Sequence, residues 1–195
     1  MLQLLKILNN IVFYVRIFKG SDKMYLPNDY VVFDIETTGM SPEYAEIIEI
    51  GALKCVNNEI VDRFQTLVRP DFAIPYKITK ITGISNEDVY NAPEISDVIF
   101  DFDDFVKGYA VVGHNVNFDI RFMNFYYSCF GGSFSPVYYD TLHIAKKVFR
   151  EKGIEVENFK LETLKNFLNV NIISHRAIED CEVTKILFDY CKENI

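Results

Sequence analysis

Two carboxylates lie close together in the stretch VVFDIETTG, residues 31–39. The apolar residues that open this stretch are typical of a buried strand. Asp34 and Glu36 are two positions apart, so on a strand both side chains leave the same face, about 6–7 Å from each other. Two like charges at that distance repel each other. The pair therefore needs a positively charged partner between its two members.

Two later acids and a histidine occur in settings that suit the same centre. Asp119 lies in GHNVNFDIRF, where we expect the first turn of a helix after the strand YAVVG. Asp180 lies in SHRAIEDCEVTKILF, on the first turns of a last helix whose apolar residues pack on the core. His175 precedes Asp180 by five residues, in the loop before that helix. A loop imidazole can approach the same centre as a helical carboxylate.

The elements that must position these side chains alternate from Tyr30 onward. Three strands come first, VVFDIE, EIIEIGALKCV and EIVDRFQTLVRP, and Asn57-Asn58 is a good hairpin turn between the second and third. Two later strands are predicted, YAVVGHN and VYYDTL. Six helices are predicted: IPYKITKITGI, PEISDVIFDFDDFVKG, FDIRFMNFYYSCF, Thr141–Arg150, Leu161–Leu168 and Ala177–Lys192. An antiparallel start followed by βα units predicts an α/β domain with a mixed sheet covered by helices.

Residues 1–28 differ from the rest of the chain and are predicted to be a separate, helical appendage to a domain at 29–195. They are hydrophobic, with four basic residues and one acid, but polar residues interrupt them too often for a membrane span. Three interpretations stay open: a helix packed on the domain, an interfacial amphipathic helix, or a segment made only from an early start codon. An exposed hydrophobic helix would favour a homodimer.

Composition restricts the classes of function. The net charge of −8 argues against a protein that coats nucleic acid by bulk electrostatics. It is compatible with an enzyme that holds a few nucleotides through metal ions, because acids are then the ligands. Four scattered cysteines favour neither a zinc site nor a disulfide framework, so a reducing, cytoplasmic location is expected.

Together these motifs resemble the DEDDh family of 3′–5′ exonucleases, whose members include the proofreading epsilon subunit of bacterial DNA polymerase III, ribonuclease T and oligoribonuclease. The resemblance extends from about Tyr30 to about Tyr190 and is closest to the epsilon-like branch. The matching stretches, in the family's order, are VVFDIETTG, IIEIGALK, ITGIS, GHNVNFDIRF, YDTL, KLETLKNFL and HRAIEDCEVT.

The resemblance implies a ribonuclease-H-like α/β fold, with a five-stranded mixed sheet flanked by helices and its second strand antiparallel to the others. It implies hydrolysis of phosphodiesters from a 3′ end, releasing nucleoside 5′-monophosphates, with two divalent ions, Mg²⁺ or Mn²⁺, as cofactors. Metal ions would then be the positive partner of Asp34 and Glu36.

Family roles carry over position by position. The metal-binding acids would be Asp34, Glu36, Asp119 and Asp180, and the general base that activates a water would be His175. Asp34 is the candidate bridge between the ions, and Asp119 would act through water or on the substrate side. The residues expected to contact the 3′-terminal nucleotide are Thr37, Thr38, His114 and Asn115.

Three functions stay open. The first is an exonuclease acting on the 3′ end of single-stranded DNA, either as a proofreading subunit of a DNA polymerase or alone. Because the sequence stops at Ile195, the extension by which the epsilon subunit binds its polymerase is expected to be absent, which argues against the polymerase-bound role. The second is an exoribonuclease that trims RNA ends or short oligoribonucleotides. The third is a catalytically vestigial module that binds nucleic acid or docks on a polymerase.

Several other polar residues have a structural interpretation beside a functional one. Asp140 is expected to cap the helix that follows it. Glu49 is placed either behind the metal ligands or in a pair with a basic residue, and His114 is either a substrate contact or a hydrogen-bonded structural residue. The three cations Lys146, Lys147 and Arg150 are interpreted as a solvated helix face, with tracking of a nucleic-acid backbone as the alternative.

Overall fold

A computed structural model of the protein describes residues 25–172 and 176–195. The five strands within these two ranges are β1 (Tyr30–Thr37), β2 (Ile47–Val56), β3 (Glu59–Leu67), β4 (Ala110–Gly113) and β5 (Tyr138–Asp140). The helices of the described residues are α1 (Tyr76–Thr82), α2 (Asn86–Val89), α3 (Ile95–Val106), α4 (Asn117–Cys129), α5 (Thr141–Lys152), α6 (Leu161–Phe167) and α7 (Ala177–Glu193). The predicted strands and helices are confirmed in this order. The short α2 was not predicted.

The strands form one sheet in the order β3-β2-β1-β4-β5. β1 pairs in parallel with β4, and β4 with β5, whereas β2 is antiparallel to both of its neighbours. The predicted five-stranded mixed sheet, with only its second strand reversed, is therefore confirmed. Because β1, β4 and β5 are parallel, their carboxyl ends meet along one edge, here called the C-terminal edge.

The hairpin between β2 and β3 turns at Asn57 and Asn58, as predicted. Both residues have positive φ angles, 52° and 67°, which asparagine tolerates better than most residues and which a type I′ turn requires. The antiparallel pairing of β1 with β2 places Asp34 opposite Gly51 and Glu36 opposite Glu49. These two cross-strand pairs lie at the C-terminal edge and form the floor of the site described below.

Successive residues of β1 face opposite sides of the sheet. Tyr30 and Val32 pack in a core with residues of α5, α6 and α7, whereas Phe33 and Ile35 pack with residues of α3 and α4. Asp34 and Glu36 continue the row of Tyr30 and Val32, so they leave the sheet on the side that α7 covers. The predicted shared face of the two acids is therefore confirmed.

Gly51 allows α7 to lie unusually close to the sheet. A Cβ atom at this position would lie 2.6 Å from the carbonyl carbon of Ala177 and 2.6 Å from the amide nitrogen of Ile178, distances that real Cβ atoms do not adopt. The first turn of α7 therefore occupies the space that a side chain at position 51 would fill. This packing brings Asp180, on the same turn, over the end of β1.

Most of the predicted appendage, residues 1–24 of 1–28, lies outside the described residues. Leu26 is buried in the core that contains Tyr30 and Phe188, so the chain is already part of the domain at that point. None of the helices in the described parts of the chain is both long enough and apolar enough to cross a membrane.

Candidate active site

Three carboxylates converge at the C-terminal edge of the sheet. Asp34 and Glu36 come from the end of β1, and Asp180 comes from the first turn of α7. Each of the three offers an oxygen, and these oxygens all lie within 4.8 Å of one another. Residues 146 positions apart in the sequence are thus brought into one cluster, and their predicted binding of metal stays a prediction.

Asp119 lies beside this cluster rather than within it. It stands in the first turn of α4, as predicted, and only 3% of its surface is exposed. Its Oδ1 accepts a hydrogen bond of 3.2 Å from the backbone N–H of Ile35. The pairing of β1 with β4 ends at Val32 and Val112, so this carboxylate binds β1 just beyond the point where the neighbouring strand stops pairing. The bond fixes Asp119 against the strand that carries Asp34 and Glu36.

Burial and mutual repulsion make these carboxylates weak acids in the absence of a cation. Burial raises the pKa of Asp34 well above its usual value, and the neighbouring charges of Asp119, Glu36 and Asp180 raise it further. Burial and the Asp180 and Glu49 charges raise the pKa of Glu36 to about 8. Burial also raises the pKa of Asp119, against the opposing effect of its hydrogen bonds to backbone N–H groups. The cluster therefore favours positive charge, as protons or as a metal.

The donor set fits a hard divalent cation. Three carboxylates from two rigid elements offer oxygens at a spacing that one ion can bridge, and no sulfur or imidazole belongs to this group among the described residues. Oxygen-only donors suit Mg²⁺ and Mn²⁺ rather than softer metals. A bound cation would offset the repulsion that raises the pKa values of Asp34 and Glu36.

A buried ion pair behind the cluster holds the start of α7. Glu49 of β2 has no exposed surface, and its carboxylate accepts from Arg176 at 2.8 Å (Nη2) and 3.0 Å (Nε). The same carboxylate accepts at 3.0 Å from the backbone N–H of Ala177, the first residue of α7. Glu49 thus caps α7 from a neighbouring strand, where the helix dipole also favours a negative charge.

Sequence reasoning left the role of Glu49 open and gave Arg176 none. The structure shows Glu49 paired with a basic residue and at the same time beside Glu36, behind the carboxylate cluster. The available signal was an acid in the apolar strand IIEIGALK, since a buried carboxylate needs a cationic or N–H partner. The identity of that partner, 127 positions away, was not readable from the pattern.

Comparison with known proteins identifies the family. The family model for the RNase T exonucleases matches residues 31–188, which is most of the chain and includes all four acids and His175. The chain belongs to the RNase T exonuclease family.

Curated relatives of this RNase T-family chain include replication proteins. It is 40% identical over 175 residues to the PolC-type DNA polymerase III of Caldanaerobacter subterraneus, covering 89% of this chain but only 12% of that polymerase. It is 37% identical over 161 residues to the epsilon subunit of DNA polymerase III from Treponema pallidum, covering 82% of this chain and 74% of that subunit.

Solved exonuclease structures share its fold. Exonuclease X, solved in complex with 5′-overhanging duplex DNA, is 25% identical with a TM-score of 0.67, covering 84% of this chain and 91% of that one. Apo exonuclease I superimposes with a TM-score of 0.72 at 20% identity, covering 87% of this chain and 43% of that one. The second likeness concerns the fold alone.

The four predicted substrate contacts of this RNase T-family chain lie around the same edge of the sheet. The Thr37 hydroxyl donates to the carbonyl of Gly39 at 2.6 Å, and Thr38 bonds Glu46 through both its backbone N–H and its side-chain oxygen. These bonds fix the turn after β1, whereas Asn115 is exposed just after the end of β4. Substrate contact by these residues stays a prediction.

His114 has both ring nitrogens engaged within the protein. Nε2 donates to the carbonyl of Phe159 at 2.9 Å, and Nδ1 lies 2.9 Å from the hydroxyl of Thr141. Burial lowers the pKa of His114, which favours the neutral ring. These bonds agree with the structural alternative considered for His114, and its predicted contact with substrate remains untested.

Two other sequence predictions concern the neighbourhood of the acids. Asp140 caps α5 as predicted, accepting at 2.9 Å from the backbone N–H of Leu142, and it also accepts from the N–H of Asn115. His175, the predicted general base, lies outside the described residues. It directly precedes Arg176, which Glu49 holds.

The raised pKa values predict how stability changes with pH when divalent ions are absent. Glu36 has a pKa of about 8 in the folded protein against an ordinary value of 4.5, so it stabilises the fold when protonated. That contribution is fully present below about pH 4.5 and is lost as pH rises through about 8. In EDTA, the melting temperature should therefore fall between pH 6 and pH 9.

Differential scanning fluorimetry with EDTA or Mg²⁺ tests this dependence. Mg²⁺ competes with protons for the same oxygens, so it should raise the melting temperature more at pH 8 than at pH 6. The matched variant Glu36→Gln should flatten the slope in EDTA. An increase in stability from pH 6 to 9 in EDTA would contradict the repulsive cluster.

Proposed function

We propose that this chain is a metal-dependent 3′–5′ exonuclease of DNA that releases nucleoside 5′-monophosphates. The observation that carries the proposal is the convergence of oxygens from Asp34, Glu36 and Asp180 within 4.8 Å at the C-terminal edge of the sheet. Asp119 adds a fourth carboxylate beside them. Membership of an exonuclease family supports the reaction class, and the polymerase names of its relatives support DNA as the substrate.

Each residue has a distinct proposed role. Asp34, Glu36 and Asp180 would hold two divalent ions, and Asp119 would complete the site on the substrate side. When bound, such ions neutralise the scissile phosphate and make water more acidic. His175 would accept the proton of the attacking water, a task for which an imidazole has a suitable ordinary pKa. Asn115 and the turn after β1 would orient the terminal nucleotide.

Proofreading is the proposed setting for this activity. The relatives named above are DNA polymerase III proteins of the PolC type and an epsilon subunit. The chain spans 12% of the PolC-type relative, so the activities of that whole polymerase are not attributed to it. A DNA polymerase is nevertheless the partner that these relatives suggest.

Digestion of end-labelled oligonucleotides tests the proposed function. Matched 5′-labelled single-stranded DNA and RNA would be incubated with Mg²⁺ and the full chain, beside Asp34→Ala and the control Asp101→Ala. Asp101 is an exposed residue of α3, outside the cluster. A ladder that shortens from the 3′ end of DNA, and that only Asp34→Ala abolishes, is the expected result.

The alternatives correspond to other outcomes of the same digestion. Faster cleavage of RNA would assign the chain to RNA trimming and leave the metal site unchanged. Cleavage of neither substrate with Mg²⁺ or Mn²⁺ would overturn the exonuclease proposal and favour a binding module.

Asp180→Asn tests the ligand that α7 contributes. The substitution keeps the shape of the side chain and removes one charge, so the rate should fall about a hundredfold or more through weaker stabilisation of the transition state. The measurement is kcat/KM on single-stranded DNA across a Mg²⁺ titration. A near-wild-type rate at saturating Mg²⁺ would show that Asp180 is not a ligand.

A further inference from the structure

A groove lies beside α5, outside the carboxylate cluster. Its volume is about 530 Å³, and it opens to solvent. Its lining residues are Lys146, Arg150, Ile154, Glu155, Val156 and Phe159. We call it the α5 groove.

The two cations of the α5 groove stand one turn apart on the same helical face. Lys146 and Arg150 are both exposed, and neither forms an ion pair with a carboxylate of residues 25–172 or 176–195. Lys146 Nζ lies 5.9 Å from the centre of the Phe159 ring, which is half-buried. Two cations above an aromatic and aliphatic wall match the groups of a single-stranded nucleic acid, its phosphates and its bases.

The groove is joined to the C-terminal edge of the sheet by a hydrogen bond. The carbonyl of Phe159 accepts at 2.9 Å from Nε2 of His114, which directly follows β4 at the C-terminal edge. On the other side of that histidine, Thr141 begins α5. The wall of the groove is therefore fixed against the edge of the sheet that carries the acids.

From Thr141, α5 runs away from the C-terminal edge of the sheet. Lys146 and Arg150 are five and nine residues from Thr141, about 8 Å and 14 Å along the helix axis. The two cations are therefore about 6 Å apart along the helix axis, which is comparable to the spacing of neighbouring phosphates in an extended single strand. A cation at each position can thus meet a different phosphate of one strand whose 3′ end lies at the acids.

We propose that the α5 groove binds the backbone of single-stranded DNA on the 5′ side of the nucleotide being removed. Lys146 and Arg150 bind phosphates, and Phe159 contacts a base. Glu155, the one acid among the lining residues, weakens this binding. The proposal rests on the proposed exonuclease function, because the cleaved strand supplies the occupant.

Two substrates of different length distinguish this role from catalysis. The double variant Lys146→Gln/Arg150→Gln should raise KM for a 12-nucleotide DNA on the order of tenfold and leave kcat unchanged. It should not change hydrolysis of the p-nitrophenyl ester of thymidine 5′-monophosphate, which has no upstream phosphates. The slope of log(kcat/KM) against log[salt] should become shallower by about 1.4, for two phosphate contacts on a single strand.

A charge-matched double variant controls for net charge. Lys107→Gln/Lys152→Gln removes two exposed cations that do not line the groove, and it should leave KM nearly unchanged. Glu155→Gln should lower KM for the 12-nucleotide DNA. Equal effects of the groove and control variants, or equal effects on both substrates, would overturn the proposal.

Binding without cleavage separates this proposal from the proposed function. Fluorescence anisotropy of a labelled 12-nucleotide DNA in EDTA, with the same variants, measures the groove without any turnover. If the wild-type chain cleaves nothing but the groove variant loses affinity, the exonuclease assignment fails and the groove stands. If affinity is unchanged by the groove substitutions, the groove proposal fails whatever the activity.

Discussion

Asp34→Asn is expected to lower kcat/KM by about a thousandfold or more. The charges of Asp119, Glu36 and Asp180 all raise the pKa of Asp34, and its carboxylate offers an oxygen within 4.8 Å of those of Glu36 and Asp180. Removing the charge of Asp34 takes away the acid with which the charges of the other three interact, so binding of the cations should be strongly weakened. Loss of Asp180 leaves both Asp34 and Glu36 in place. Initial rates on single-stranded DNA at saturating Mg²⁺ measure the effect.

The same substitution should stabilise the protein when no divalent ion is present. A neutral amide at position 34 removes a buried charge that three other carboxylates repel. The melting temperature in EDTA should therefore rise, while the increase caused by Mg²⁺ should shrink. Asp101→Asn, on the exposed face of α3, is the matched control for both measurements. Lower stability in EDTA together with full activity would refute the assignment of Asp34.

Glu49→Gln is expected to destabilise the fold by about 3 kcal/mol. The carboxylate is fully buried and accepts from Arg176, from the N–H of Ala177 and from Gln65 at 3.1 Å. A glutamine in its place has one oxygen for three donors, and its NH₂ group faces at least one of them. The start of α7, and with it Asp180, should shift, so kcat should fall as well.

Urea unfolding of a double-mutant cycle measures this interaction. The free energies of unfolding of Glu49→Gln, Arg176→Met and the double variant are compared with wild type in EDTA. The cycle separates the energy of the Glu49–Arg176 ion pair from that of the hydrogen bond by which Glu49 caps α7. Arg176→Met leaves the Glu49 charge fully buried without its cation, whereas Glu49→Gln leaves an arginine whose side chain is 41% exposed, so Arg176→Met alone should cost at least as much as Glu49→Gln. Near-equal stability of wild type and Glu49→Gln would show that the cap does not hold α7.

Local features of the sequence predicted much of the fold. The Asn57-Asn58 dipeptide predicted a hairpin because asparagine tolerates the positive φ angles that a tight turn needs. Asp140 at the end of a short strand predicted the cap of α5, and the two-residue spacing of Asp34 and Glu36 predicted their common face. Each of these features depends on a few neighbouring residues.

Features that depend on distant residues were not predicted. The ion pair of Glu49 with Arg176 and the hydrogen bond from the N–H of Ile35 to Asp119 join elements far apart in the chain. The sequence around Glu49 and around Asp119 does not indicate which distant residue each one binds. The family resemblance grouped the four acids, but spacing alone did not show that Asp119 lies beside the other three.

The short α2 is a local feature that was also not predicted. Ser85 and Asp88 form a capping box at its start, but the helix has only four residues, too few for a helical pattern of apolar residues.

The absent side chain at position 51 determines a distance in the active centre. Gly51 lies opposite Asp34 on the sheet and in contact with the backbone of Ala177 and Ile178, three residues or fewer from Asp180. The distance between Asp34 on β1 and Asp180 on α7 is therefore determined by a residue that has no functional group. A chain with alanine there would keep every acid and lose their spacing, so an inventory of catalytic residues would misjudge it as active. Homologues should be assessed at this position before activity is inferred from their acids.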